Sequence, residues 1–150
     1  QTTDNNVKFK LGNIKLVSKV IDGKFPDYNK VVPKNNDKSL EVSSKDFINS
    51  IERVTSVSLD RKEGVKLIIS KENVQLLVNS ANSGDGNEVI KANFTSDNTT
   101  ISFNSIYLID IASEIEDKNL KMKLKDSVSP VLIEDSSDKN SYYVIMPMKI

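Results

Sequence analysis

SSKDFINSIERVTSV, residues 43–57, decides the fold. Ser43 or Ser44 is a helix cap, because a hydroxyl at that position can accept a free first-turn N–H. Phe47, Ile48, Ile51 and Val54 recur at helical spacing and make one apolar stripe. A short strand pattern, 39–42, precedes this helix. Three more strand patterns follow it, 65–70, 74–80 and 87–95, with SKEN and ANSGDG as turn signals between them. The order then repeats: a strand at 99–103, a helix in NSIYLIDIASEIE (104–116), and strands at 120–124, 131–134 and 142–146. Asn104 or Ser105 caps the second helix, with Ile106, Ile109, Ala112 and Ile115 turned inward. Ser44 and Ser105 are 61 residues apart, and the strands before them keep that offset. The expected fold is α+β: a duplicated β-α-β-β-β unit with two helices side by side on antiparallel sheet.

Residues 7–12 and 14–21 are two further strand patterns outside the duplication. Two strands without a helix do not make a domain. Residues 1–27 therefore read as the tail of a preceding domain, and residues 28–150 as one domain, so the chain reads as a carboxyl-terminal piece. Residues 30–38 read as a connector.

Composition narrows the chemistry. The 150 residues carry 21 basic and 21 acidic side chains, so no bulk positive field exists to hold nucleic acid by counterion release alone. Without histidine or cysteine there is no imidazole base, no Ser-His-Asp arrangement and no thiolate metal site. No apolar run reaches the ~20 residues of a membrane span. No nucleotide-binding G-x-x-x-x-G-K loop appears. The expectation is a cytoplasmic chain with no metal and no cofactor.

Three segments carry a resemblance. KVIDGKFPDYNKVVP (19–33) resembles the junction between the middle and last domains of the bacterial DNA polymerase III beta subunit, the sliding DNA clamp. SFNSIYLIDI (102–111) resembles the start of that family's last helix. DSVSPVLIED (126–135) followed by YYVIMPMKI (142–150) resembles its closing strands and tail. The resemblance covers the whole chain in order, and implies a DNA clamp fold in a non-enzymatic processivity factor. Such a factor is a homodimeric ring around duplex DNA, read without regard to sequence. Its implied protein partners are the polymerase III alpha subunit, the clamp loader and repair polymerases, which dock through short peptides.

By the same resemblance, Val144, Ile145, Met146, Pro147, Met148, Lys149 and Ile150 form one wall of the peptide groove. Pro26, Lys30 and Val31 lie across from them, and Asn104, Tyr107, Ser127, Val128 and Ser129 extend the pocket. Methionine suits this use because it repacks around different side chains. Lys45, Asn49 and Arg53, with Ser56, occupy the helix side away from the apolar stripe, which faces DNA in a clamp. Ser56, Val57, Glu88, Val89 and Ile90 match the subunit interface. The competing reading is an extracellular or surface binding module, for which Asn93-Phe94-Thr95 and Asn98-Thr99-Thr100 supply glycosylation sequons. Asp85-Gly86-Asn87-Glu88 falls far short of a calcium loop and reads as a hairpin turn, and Asp135 with Asp138 reads as a loop.

Overall fold

The computed structural model describes residues 3, 5–58, 64–80, 84–116 and 118–149. The first helix, α1 (Ser44–Thr55), follows strand β3 (Lys38–Ser43) directly. Ser43 ends the strand and caps the helix, its hydroxyl accepting the Asp46 N–H. Asp46 in the first turn adds a favourable charge at the positive helix end. Phe47, Ile51 and Val54 are buried on one stripe, each contributing about 1.5–3 kcal/mol over exposure. Strands β4 (Gly64–Ile69), β5 (Asn73–Ser80) and β6 (Gly84–Phe94) complete the first unit. The second unit is β7 (Thr99–Asn104), α2 (Ser105–Ser113), β8 (Asn119–Leu124), β9 (Val131–Glu134) and β10 (Tyr142–Ile145).

The strand patterns at 39–42, 65–70, 74–80, 99–103, 120–124 and 131–134 fall on these strands with shifts of at most one residue. Two boundaries differ among these strands, and elsewhere the 14–21 pattern ends at Lys19 and the 104–116 helix at Ser113. β6 begins at Gly84, three residues ahead of the pattern, because its pairing with β5 runs through the glycines to Ser80↔Gly84. β10 ends at Ile145 rather than Met146, where Pro147 is about to remove a ladder N–H.

The eight strands make one antiparallel sheet in the order β10-β9-β8-β3-β6-β5-β4-β7. The two units are interlocked. β3 of the first pairs β8 of the second from Lys38↔Leu124 to Ser43↔Asn119, and β7 of the second pairs β4 of the first from Gly64↔Asn104 to Ile69↔Thr99. Neither unit can close its sheet alone. The 61-residue offset holds for the first strands and helix caps. It falls to 55 for β4 and β8, because α2 and the connection after it are shorter.

The inward residues of α2 and the turn after it match the expected ones in part. Leu108, Ala112 and Ile115 are buried, whereas Ile106 and Ile109 are only half-buried and line a cleft against Glu52 and Thr55 of α1. The sequence is apolar nearly all round this helix, so periodicity could not single out the core face.

Gly86 lets α1 lie on β6. A Cβ there would stand 2.3 Å from the Val54 carbonyl oxygen and 2.8 Å from its Cα.

Residues 6–19 form a separate hairpin of β1 (Asn6–Leu11) and β2 (Ile14–Lys19), registered from Asn6↔Lys19 to Leu11↔Ile14. Gly12 takes the left-handed backbone, φ 58°, that its two-residue loop requires. Phe9, Leu11, Ile14 and Leu16 share one face and are exposed, Leu11 by 81%. A two-stranded hairpin with a bare apolar face is marginal in water. Its amides are expected to exchange far faster than those of β4 and β5 in a dilute monomer, read by hydrogen-exchange mass spectrometry. Equal protection in both places would contradict this.

Candidate functional site

The tail is held on both sides. On one side β10 leads into the tail paired to β9 as far as Ile145↔Val131. On the other side the Met148 N–H donates to the Ser102 carbonyl of β7 at 2.8 Å. The tail therefore bridges the last ladder strand and the first strand of its own unit, next to the start of α2. Ile145 anchors it in the core, Val144 and Pro147 are half-buried, and Met146, Met148 and Lys149 are exposed. Ile150 lies outside the described residues.

The neighbouring residues present an apolar surface. Asn104 caps α2, its side-chain oxygen accepting the Ile106 N–H at 3.0 Å, and this starts the helix so that Tyr107 projects from its first turn, 60% exposed. Ser127, Val128 and Ser129 form the β8–β9 turn. Asp126 shapes that turn: its carboxylate accepts the Val128 N–H at 3.0 Å, the Ser129 N–H at 2.6 Å and the Ser129 hydroxyl at 2.9 Å. These donors, Val128 first, hold the Asp126 carboxyl below the ordinary aspartate pKa. Val128 is left 63% exposed, and Met146 of the tail is 59% exposed. Asn36 closes the base of the turn, donating to the carbonyls of Lys123 at 2.8 Å and Pro130 at 2.9 Å. Asp126, Asn36 and Ser102 escaped sequence reasoning. Only Asp126 carried a signal, an acceptor side chain two and three residues ahead of the N–H groups it binds.

Pro26, Lys30 and Val31 are exposed in the connector, where Asp27 caps a single 3₁₀ turn, Tyr28–Lys30. Among the described residues no hydrogen bond joins them to the tail.

The depressed Asp126 carboxyl gives a test with a sign. A group with a lowered folded pKa supports its structure above the unfolded pKa and loses that support as pH falls through the folded value. The turn should therefore stay ordered at neutral pH and loosen only below the ordinary aspartate range. Asp126→Ala should loosen it at all pH values, broadening the Val128 and Ser129 amide signals while Leu67 and Leu76 stay unchanged. Sharp, unshifted Val128 and Ser129 signals in the variant would contradict the assignment.

The other expected residues fall into two places. Lys45 is exposed and Asn49 half-buried, and both line a shallow cleft between the helices with Ile48, Ala112 and Lys118. Arg53 does not face away as a free cation. Its Nε donates to Glu88 Oε2 at 2.9 Å and its terminal nitrogen pairs with Oε1, which holds the Glu88 carboxyl below its ordinary value. A residue expected to face DNA and one expected at a subunit interface are thus one ion pair between α1 and β6. Ser56 is exposed and Val57 half-buried at the end of α1. Glu88, Val89 and Ile90 lie in the part of β6 that pairs only β5, because β3 takes just Ala92, Asn93 and Phe94. Among the described residues that edge of β6 pairs no further strand. No helix is long and apolar enough to cross a membrane, and no group of three acidic side chains is placed to hold a metal, among the described residues.

Comparison with known proteins adds the relationship. The sequence model described as DNA polymerase III beta subunit, C-terminal domain, matches residues 29–149. The beta sliding clamp of Escherichia coli K12 is 33% identical over all 150 residues, which span 41% of that protein. Among solved structures, the sliding clamp of Bartonella birtlesii bound to griselimycin superposes with a TM-score of 0.90 at 38% identity, covering 99% of this chain and 40% of that one. The Caulobacter crescentus sliding clamp gives 0.90 at 32% identity, with the same two coverages.

Proposed function

The chain belongs to the DNA polymerase III beta subunit family, matching its C-terminal domain, and from that premise we propose that it is the partner-docking part of a ring-shaped sliding clamp. The ring, a homodimer, encircles duplex DNA without reading sequence and tethers polymerase as a non-catalytic processivity factor in the cytoplasm. The chain spans about 41% of the length of its curated relatives, so ring closure and partner choice belong to the proposal. Residues 1–27 would be the tail of the middle domain and 28–150 the last domain.

The observation that carries this reading is the tail, fixed at Ile145 and Met148 with Met146 and Met148 exposed, while Val128 is exposed shortly before β9 and Tyr107 shortly after β7, the strands next to the two fixed points. Apolar side chains so presented can take the aliphatic and aromatic end of a short peptide from the polymerase alpha subunit, the clamp loader or a repair polymerase, with Pro26, Lys30 and Val31 on the far side. The open edge of β6 supports assembly side by side, since an unpaired edge recruits a further strand. Glu88, Val89 and Ile90, with Ser56 and Val57, would meet the second subunit. The helix layer supports sliding over clinging. Arg53 is neutralised by Glu88, which leaves Lys45 and Asn49 as its DNA-facing residues, and a topological ring needs few phosphate contacts.

The test uses the natural chain that carries this sequence, loaded on nicked circular duplex by its clamp loader. Retention should be lost when the circle is cut to a linear form. Retention indifferent to cutting would overturn the ring.

A further inference from the structure

We propose that a second cleft, on the outer sheet face beside the tail, extends the groove and receives an acidic residue flanking the docked peptide. The inference rests on the groove reading and adds a charge requirement to it. The cleft, about 400 Å³, is lined by Val32, Lys121, Leu132, Lys139 and Tyr142, together with acidic and hydroxyl groups of the 134–141 stretch. Side chains two apart on a strand share a face, so Tyr142 stands on the same side of β10 as Val144 of the tail wall. The register sets Glu134 across from Tyr142, Leu132 across from Val144, and Lys121 across from Glu134. Val32 directly follows Val31 of the other expected wall. The cleft therefore borders Val144 of the tail wall through Leu132, and Val32 joins it in sequence to the other expected wall.

Its charges are unevenly committed. Glu134 takes the Lys123 ammonium at 2.7 Å. Asp135 is buried and accepts the Glu116 N–H at 3.0 Å, the Ser137 N–H at 2.8 Å and the Ser137 hydroxyl at 2.6 Å. Lys121 and Lys139 have no carboxylate within ion-pair distance among the described residues. Two uncommitted ammonium groups above Val32, Leu132 and the Tyr142 ring fit a carboxylate on a short aliphatic stem. A Glu or Asp next to the hydrophobic peptide core has that chemistry, and the residue would read partners by what flanks their motif.

The experiment compares three peptides by fluorescence anisotropy on the natural chain: a Gln-Leu-Phe core, and the same core with two glutamates added at either end. One acidic extension should bind about three- to tenfold more tightly than the core, as befits partly exposed charge pairs. The gain should vanish in Lys121→Gln/Lys139→Gln and at high salt, and survive in Lys71→Gln, a charge removed elsewhere. Core affinity should be equal in all three chains, and circular dichroism checks their folding. A gain that survives the double substitution, or that Lys71→Gln removes equally, overturns the cleft alone. Failure of the core peptide to bind the unaltered chain overturns the groove and the cleft together.

Discussion

Removal of residues 146–150 is expected to lower the affinity for a Gln-Leu-Phe peptide at least a hundredfold while the domain stays folded. Burying a partner's Leu and Phe contributes about 1.5–3 kcal/mol each, and each 1.4 kcal/mol is about tenfold in affinity. Folding should survive because β10 ends at Ile145, which stays in the core. The deletion removes the Met148–Ser102 backbone hydrogen bond, a net loss of about 0.5–1.5 kcal/mol. Anisotropy reads the first effect and thermal melting the second. Unchanged affinity would refute the groove, and complete unfolding would mean that the tail is chiefly a structural strand.

Gly86→Ala is expected to be the most damaging single-methyl change in the sheet. The added carbon meets backbone, the Val54 carbonyl at 2.3 Å, and backbone cannot rotate aside as a flexible side chain does. Overpacking of this kind costs about 1–3 kcal/mol, which lowers the melting temperature by several degrees in a domain of this size. Separating α1 from β6 should also pull Arg53 away from Glu88. Urea unfolding of the variant checks the first consequence. The Arg53 Nε signal, shifted by its carboxylate partner in the parent chain, checks the second. A variant as stable as the parent would show that α1 does not lie where Gly86 admits it.

Much of this fold was legible because alternation survives in most strands. β4, β5 and β8 each bury every second residue, and Ser43 and Asn104 are capping residues of the favoured type. What was not legible lies between elements. No local pattern announces that β3 pairs β8 and β7 pairs β4, since that exchange is set by the whole layer. α2 hid its core face because Ile106, Ile109 and Ile111 read the same as Leu108 and Ala112. The candidate site was legible as an apolar tail, Met146 to Met148, but its attachment joins Met148 to Ser102, residues 46 apart in the chain. Arg53 looked like a solvated helix cation because its partner, Glu88, sits 35 residues away on another element. Gly86 read as a turn residue within ANSGDG, and its need for space appears only once α1 is laid across β6.

The central claim is that the tail and its neighbours receive a partner peptide. The most direct measurement is amide and methyl shift mapping of the isotope-labelled chain with a Gln-Leu-Phe peptide at millimolar concentration. Saturable shifts should appear at Tyr107, Val128, Met146 and Met148, with Val65, Leu67 and Val74 unmoved. Saturable shifts confined to other surfaces, or none at the tail at the highest peptide concentration, would contradict it.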